Sequence, residues 1–434
     1  MTDPIALLQE LIRYDTTNPP GNEHDAVRHI ERVLEAAGIE NRIVALDATR
    51  PNLIARIPGR GEAPPFLMHA HIDVVPTTHQ PWTHDPFGGE IIDGYVWGRG
   101  ALDMKGGAVM MIDAMINLAA SGQSPAGDII LAILADEEDG GTFGAKFLVE
   151  ERPDLFTGVK YAIGEFGGFP LTVAGVRFYP IQIAERVGVK FTLTMRGQGG
   201  HGSLPVQGGA MARLGRTLSR IDKKRLPVHI VDANRAMLEI MIGHTAGAAQ
   251  KALKALLNER TAGATLAALR SQLGVLEPVL RNTVSATIVA GGEKDNVIPS
   301  EVTLQLDGRM LPGITAEQFA AELQHLVGKH VEVRYTVESL SGLAEPDLGL
   351  FDLLAAIVKE RDSEAVPIPF LLPAVTDGRW FNQLGIQHYG FLPMRLPDDF
   401  VFQKTVHAAD ERIPVEALHH GCEATLDLLG RYRG

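Results

Sequence analysis

One cysteine, Cys422, stands in 434 residues, so neither a disulfide within the chain nor a cysteine-rich zinc finger can be built. A lone thiol fits a reducing compartment, and among helical residues Cys422 itself reads as a small packing residue. Cations are short: 40 lysines and arginines face 53 acids, a net charge of -13. Such a surface repels phosphates, which excludes nucleic-acid recognition through a general positive field. No apolar run reaches the roughly 18 residues that a membrane helix needs, so no membrane association is expected. The opening Met1-Thr2-Asp3-Pro4-Ile5-Ala6-Leu7-Leu8 has an acid and amphipathic spacing where a secretory leader has basic residues and an apolar core, and a cytoplasmic protein is expected. No low-complexity tract occurs. What remains is 45% hydrophobic and 21% charged, a globular composition in a chain long enough for two domains.

The turn formers Thr16-Thr17-Asn18-Pro19-Pro20-Gly21-Asn22 separate helical stretches at 3–13 and 23–37. Strand-like segments follow at 40–46, 52–57, 66–75 and 128–135, with helical spacing over 105–121. Segments 66–75 and 128–135 are almost continuously apolar, as strands are when helices cover both faces of a sheet, so this part is α/β. From about 186 the texture changes to strand 187–195, helix 208–222, strands 283–290 and 301–308, helix 315–327 and strand 330–338. That β-α-β-β-α-β order describes a small sheet with helices on one face, enlarged by a helix-rich insertion near 229–281. After Pro346 apolar helices return at 350–361 and 414–431. The chain is therefore expected to form one domain from 1–185 and 341–434, interrupted by an α+β domain at 186–340.

Three segments carry chemistry. His71 and Asp73 lie two apart on an apolar strand, so both face one side; a carboxylate there can take one imidazole N–H while the other nitrogen binds a metal. In Gly98-Arg99-Gly100-Ala101-Leu102-Asp103-Met104-Lys105-Gly106-Gly107, glycines permit bends that bring Asp103 against another segment. Asp136-Glu137-Glu138-Asp139 ends a buried strand, where four acids repel one another unless a cation sits among them. A solvated acidic run is the plainer alternative. Its place at the carboxyl end of a buried strand, where α/β sheets open their crevices, favours a site.

Together with His407-Ala408-Ala409-Asp410-Glu411-Arg412-Ile413, these segments resemble, in order and spacing, the dinuclear zinc metallopeptidase family of aminoacylases, glutamate carboxypeptidase, carboxypeptidase S and succinyl-diaminopimelate desuccinylase. The likeness spans nearly the whole chain and looks nearest to the carboxypeptidase S branch. It implies a zinc-exopeptidase-like catalytic domain, a mixed sheet covered by helices, and a ferredoxin-like inserted domain serving as lid and dimer contact. It also implies two divalent metal ions per chain, zinc first, with cobalt or manganese as alternatives. His71 and Glu165 would hold one ion, Glu138 and His407 the other, with Asp103 bridging them and Asp73 orienting His71. Glu137 would be the general base for a water held between the metals. Phe166 stands where many relatives have proline, and Glu at 165 goes with acylases and carboxypeptidases. His201, in Gly199-Gly200-His201-Gly202-Ser203, would stabilise the oxyanion, often across a dimer interface; Asn296 and Arg309 would position substrate, the guanidinium clasping a carboxylate.

The implied activity is hydrolysis of an amide bond to an amino acid with a free carboxylate, in an N-acyl amino acid or at a peptide C-terminus. The implied partners are that substrate and a second copy of the chain in a homodimer. The alternative is a non-catalytic metal- or ligand-binding protein on the same fold. A dinucleotide-binding turn fails because Asp103 occupies the third glycine position, and His201 with Ser203 lacks the spacing of a nucleophile elbow. His69 is expected to be a buried, hydrogen-bonded histidine. His79, His84, His419 and His420 have no supporting constellation, and the Trp82 loop and Trp97 are expected to shape the approach to Asp103.

Overall fold

The computed structural model describes residues 3–270, 276–338 and 345–434. Contacts divide the chain into two compact units: Met1–Ile183, Glu345–Phe370 and Thr376–Gly434 form the first, and Ala184–Ala344 with Leu371–Val375 the second. The expected boundary at 340/341 lies outside the described residues.

The first unit is built on strands β1 (Glu40–Val44), β2 (Asn52–Ile57), β3 (Phe66–His71), β4 (Ile129–Leu134) and β5 (Tyr161–Gly164). They stand in the order β1-β2-β4-β3-β5, and the sheet continues through Gln387–Gly390, Val176–Glu185 and Val366–Leu372. Strands β4, β3, β5 and Gln387–Gly390 run parallel, while β1 and β2 add an antiparallel edge. Every residue of β3, β4 and β5 is buried, as their unbroken apolar character requires. Helix α1 (Pro4–Arg13) starts where the Asp3 carboxylate accepts the Ile5 N–H, with proline at the position that needs no donor. Helix α2 is His24–Ala36, and α3 (Lys105–Ala120) is apolar on most sides and packs along the terminal helix Val415–Arg431. The mixed sheet with covering helices agrees with the expected α/β class.

Strand β3 is shorter than the expected 66–75. Beyond His71 the chain leaves the sheet and pairs with the Thr16–Asn18 strap: the Val74 N–H donates to Thr16 O at 3.1 Å, and the Asn18 N–H to Val74 O at 2.8 Å. Asp73 therefore stands past the strand end, and simple alternation does not govern its side chain.

In the second unit, β6 (Val187–Arg196), β8 (Thr283–Ala290), β10 (Glu301–Met310) and β11 (Val331–Val337) form an antiparallel sheet in the order β8-β10-β6-β11; β7 (Gly200–His201) and β9 (Val297–Ile298) form a separate short ribbon. Helices α4 (Ala210–Lys223) and α5 (Ala316–Val327) pack on the sheet, joining Leu214, Phe319 and Leu323 to Phe191, Leu193 and Leu304 in one core. Burial of a side chain the size of Phe191 contributes about 1.5–3 kcal/mol. A reciprocal cap between Thr315 and Gln318 starts α5. Helices Asp232–His244, Gly247–Leu256 and Glu259–Ala268 lie between α4 and β8. No helix among the described residues is long and apolar enough to cross a membrane.

Candidate metal centre

Three adjacent parallel strands end side by side. His71 closes β3 opposite Leu134, the last residue of β4; Asp136, Glu137 and Glu138 follow β4, and Glu165 follows β5. Buried apolar strands cannot hold charges along their length, so the charges collect where the chain leaves the sheet. The approach is close at Gly164, where any Cβ would lie 2.4 Å from His69 Cε1 and 2.7 Å from His388 Nε2. Burial pushes the His69 pKa well below the usual value and that of His388 down to about 3, so both rings are neutral. His69 is buried as expected, but among the described residues its Nε2 finds no hydrogen-bond partner, and its ring packs against those of His388 and Phe381.

Asp103 enters from the turn before α3, and Glu411 sets its backbone. One Glu411 oxygen accepts the Leu102 and Asp103 N–H groups at 2.9 and 3.1 Å, and the other pairs with Arg99 Nη1 at 2.6 Å. The two Asp103 oxygens then face different imidazoles: Oδ1 lies 3.2 Å from His71 Nε2 and Oδ2 lies 3.1 Å from His407 Nε2. Glu138 Oε1 is 3.1 Å from His407 Nε2, and Glu165 Oε2 is 3.7 Å from His71 Nε2. Donor atoms of His71, Asp103 and Glu138 lie within 4.8 Å of one another, as do those of His71, Glu137 and Glu165. The His407 side chain is 48% exposed and gives the cluster an open side.

His407 takes a left-handed backbone, φ 59°, which a residue other than glycine keeps only when held. Its carbonyl accepts Gln80 Nε2 at 2.9 Å, and the Asp410 carboxylate accepts Thr83 N and Oγ1 at 2.8 and 3.0 Å. The Trp82 loop thus braces His407, in addition to lying against Arg99, whose Cζ is 5.1 Å from the Trp82 ring centre.

Asp73 meets His71 differently from the alternation argument. His71 Nδ1 is 3.0 Å from the Asp73 carbonyl and 3.5 Å from its carboxylate. That carboxylate instead accepts the Glu137 and Glu138 N–H groups, each at 3.1 Å. Asp73 therefore braces the acid pair as well as the imidazole, a consequence of the strand ending at His71.

Electrostatics show how poorly this cluster tolerates its own charge. Burial pushes Glu165 up to about 8 despite the His71 ring beside it, and burial with the Glu165 charge raises Glu137 well above the carboxylate range. Burial raises Glu138 as well. Asp103 and Glu138 push His407 up to about 10. For His71, burial works downward, but Asp103, Asp73 and Glu165 prevail and raise it. Asp103 is held below its ordinary value because both imidazoles overcome its burial. Two imidazole nitrogens among carboxylates, one carboxylate shared, and a buried Glu165 Oε1 with no hydrogen-bond partner among the described residues make a donor set that fits two divalent cations of the zinc, cobalt or manganese type.

These shifts set a pH dependence. Glu165 and His407 bind protons more tightly when folded, about 8 against 4.5 and about 10 against 6.5. Their stabilisation is complete below the unfolded values and is lost as pH rises through the folded ones. The melting temperature of chelated protein should therefore fall from pH 7 to 10 more steeply than that of metal-loaded protein, in which cations replace the protons. Parallel thermal melts check this, and a chelated protein whose midpoint rises over that window contradicts it.

Within the second unit, His201 and Asn296 are neighbours: His201 pairs with Val297 across the β7–β9 ribbon, and the Gly202 N–H donates to Asn296 O at 2.7 Å. His201 is exposed, its Nδ1 2.8 Å from Ser203 Oγ. Arg309 lies on β10 with its guanidinium on Asp307, Nε to Oδ1 at 3.0 Å and Nη2 to Oδ2 at 3.1 Å. Sequence reasoning assigned no role to Glu411, Arg99 or Asn18. The first two stand inside the motif segments, yet their pairing across 312 positions has no signature in either segment.

The description Peptidase family M20/M25/M40 matches residues 67–431. The probable carboxypeptidase S-like 2 of Dictyostelium discoideum is 26% identical over 379 residues, covering 81% of this chain and 68% of the relative. A succinyl-diaminopimelate desuccinylase of Cereibacter sphaeroides is 30% identical over 281 residues, covering 61% of this chain and 70% of the relative. The fold is that of the M20 family metallo-carboxypeptidase Sso-CP2 of Sulfolobus solfataricus, with a TM-score of 0.71, 16% identity and 100% of both chains covered. With the family match running through β3, the acid loop and the His407 turn, the chain belongs to peptidase family M20/M25/M40.

Proposed function

We propose that this chain is a two-metal hydrolase that cleaves the amide bond on the amino side of a residue with a free carboxylate. In this proposal His71, Asp103 and Glu165 hold one cation and Asp103, Glu138 and His407 the other, zinc first with cobalt or manganese as alternatives. The observation that carries it is the division of the Asp103 oxygens between the two imidazoles. When bound, the cations supply Lewis-acid polarisation of a substrate carbonyl and make water acidic enough to attack at neutral pH.

The chain supplies the rest. Glu137, beside that donor set, takes the proton of the attacking water on a carboxylate oxygen and delivers it to the leaving nitrogen. Asp73 and Glu411 hold the backbone of the acid pair and of Asp103, so that these groups need not reorganise during reaction. By the same proposal His201 donates a hydrogen bond to the oxyanion, Asn296 orients the substrate, and Arg309 binds its carboxylate while Asp307 aligns the guanidinium. A homodimer through the second unit and a lid role for that unit belong to this reading.

A panel of N-acyl amino acids, dipeptides and the C-terminal amides of each tests it and separates acylase from carboxypeptidase. The amides should show kcat/KM about 10- to 100-fold lower than the free acids, the worth of one charge-assisted pair, and Arg309→Met should remove the difference. Equal cleavage of acids and amides by the unaltered protein would sink the carboxylate requirement.

A further inference from the structure

Asn18, Glu23 and Arg50 precede residue 67, where the family match begins, yet all three are buried and run toward the candidate centre. We infer that Arg50 is a positioning residue for Glu137 and Glu138, acting through Asp136 and the strap Thr16–Glu23. The inference rests on the proposed roles of those two glutamates.

Asp136 begins the acid loop in the left-handed backbone region, φ 69°, a conformation that a residue other than glycine holds only when its surroundings dictate it. Its own carboxylate dictates it here. Oδ2 accepts the Phe143 N–H at 3.1 Å, closing the loop on itself, while Oδ1 accepts Asn18 Nδ2 at 3.0 Å and Arg50 Nη1 at 2.9 Å. The next two N–H groups, of Glu137 and Glu138, hang from Asp73. The same Asn18 amide donates to Asp73 Oδ2 at 2.8 Å, so one nitrogen ties the two carboxylates from which the loop is suspended.

Behind them, Arg50 forks onto Glu23, Nε to Oε2 at 3.1 Å and Nη2 to Oε1 at 2.6 Å. Its Cζ lies 5.0 Å from the centre of the Phe143 ring. Gly21 is the one residue type the strap can place there: its φ is +79° and a Cβ would lie 2.2 Å from Arg50 Cζ. A planar guanidinium can serve Glu23 and Asp136 at once; a lysine ammonium keeps the charge but loses the fork. The bonds lead from Arg50 to the peptide units that carry Glu137 and Glu138, where a displacement of about 1 Å is enough to cost rate.

The test uses full-length Arg50→Lys. Because loss of the fork to the buried Glu23 carboxylate could unfold that variant, it is paired with the double substitution Glu23→Gln/Arg50→Lys, which removes that carboxylate and leaves the ammonium for Asp136. Per folded molecule at saturating zinc, kcat should fall about 10- to 100-fold with KM within about threefold. In metal-free protein, hydrogen exchange at the Glu137 and Glu138 amides should quicken at least about tenfold. Wild-type kcat per folded molecule together with unchanged exchange at those amides, in either folded variant, would overturn the inference, since a merely structural arginine alters only the melting temperature. Glu137→Ala is assayed alongside. Should it prove fully active, the functional reading fails, while the exchange rates still judge Arg50.

Discussion

Glu137→Ala should lose about 10³-fold or more in kcat, near the upper part of the range for removal of a positioned general base, while the protein still binds its cations. Glu137 is not among the atoms that face His407 or the shared carboxylate, so its loss leaves that donor set intact. Stability should hold or rise, because an acid whose pKa is driven up by burial and by the Glu165 charge costs the fold something to keep. Steady-state kinetics, metal analysis and thermal melts of the same preparation measure all three. A variant that keeps its cations and a third of its activity would remove Glu137 as the base and leave the donor set standing.

What the sequence makes legible follows from how locally each feature is encoded. The apolar strands β3 and β4 announce themselves because burial on both faces leaves no room for polar residues, and the inserted sheet shows because alternation and helical spacing succeed one another over short stretches. Ordered motifs bring out the cluster residues His71, Asp103, Glu138 and His407 for the same reason: each stands in its own short segment at a strand or helix end. Asp73 shows where local reading stops. Alternation places it beside His71, but β3 ends one residue after Ala70, at His71, and the carboxylate turns to the N–H groups of Glu137 and Glu138. His69 is another such case, since a single sequence does not say that its neighbours in space are His388 and Phe381. The braces Arg99–Glu411 and Arg50–Asp136 are not legible for a physical reason: each is a long-range ion pair whose two partners stand in different segments, and neither segment alone encodes its partner.

Asp103→Ala should abolish measurable activity and weaken binding of both cations by about 100-fold or more, the scale on which loss of one carboxylate ligand from a shared position acts on two ions at once. No other residue of the cluster is placed to do this, since His407 and Glu138 face one side of Asp103 and His71 and Glu165 the other. His407→Ala should spare one ion by the same geometry. The direct measurement is the number and affinity of zinc ions taken up by chelator-stripped wild type, Asp103→Ala and His407→Ala, followed by calorimetric titration with elemental analysis after dialysis. Two ions per chain for wild type, none retained by Asp103→Ala and one by His407→Ala is the predicted result; a single ion in wild type, or two ions of undiminished affinity in Asp103→Ala, would contradict the shared-carboxylate centre.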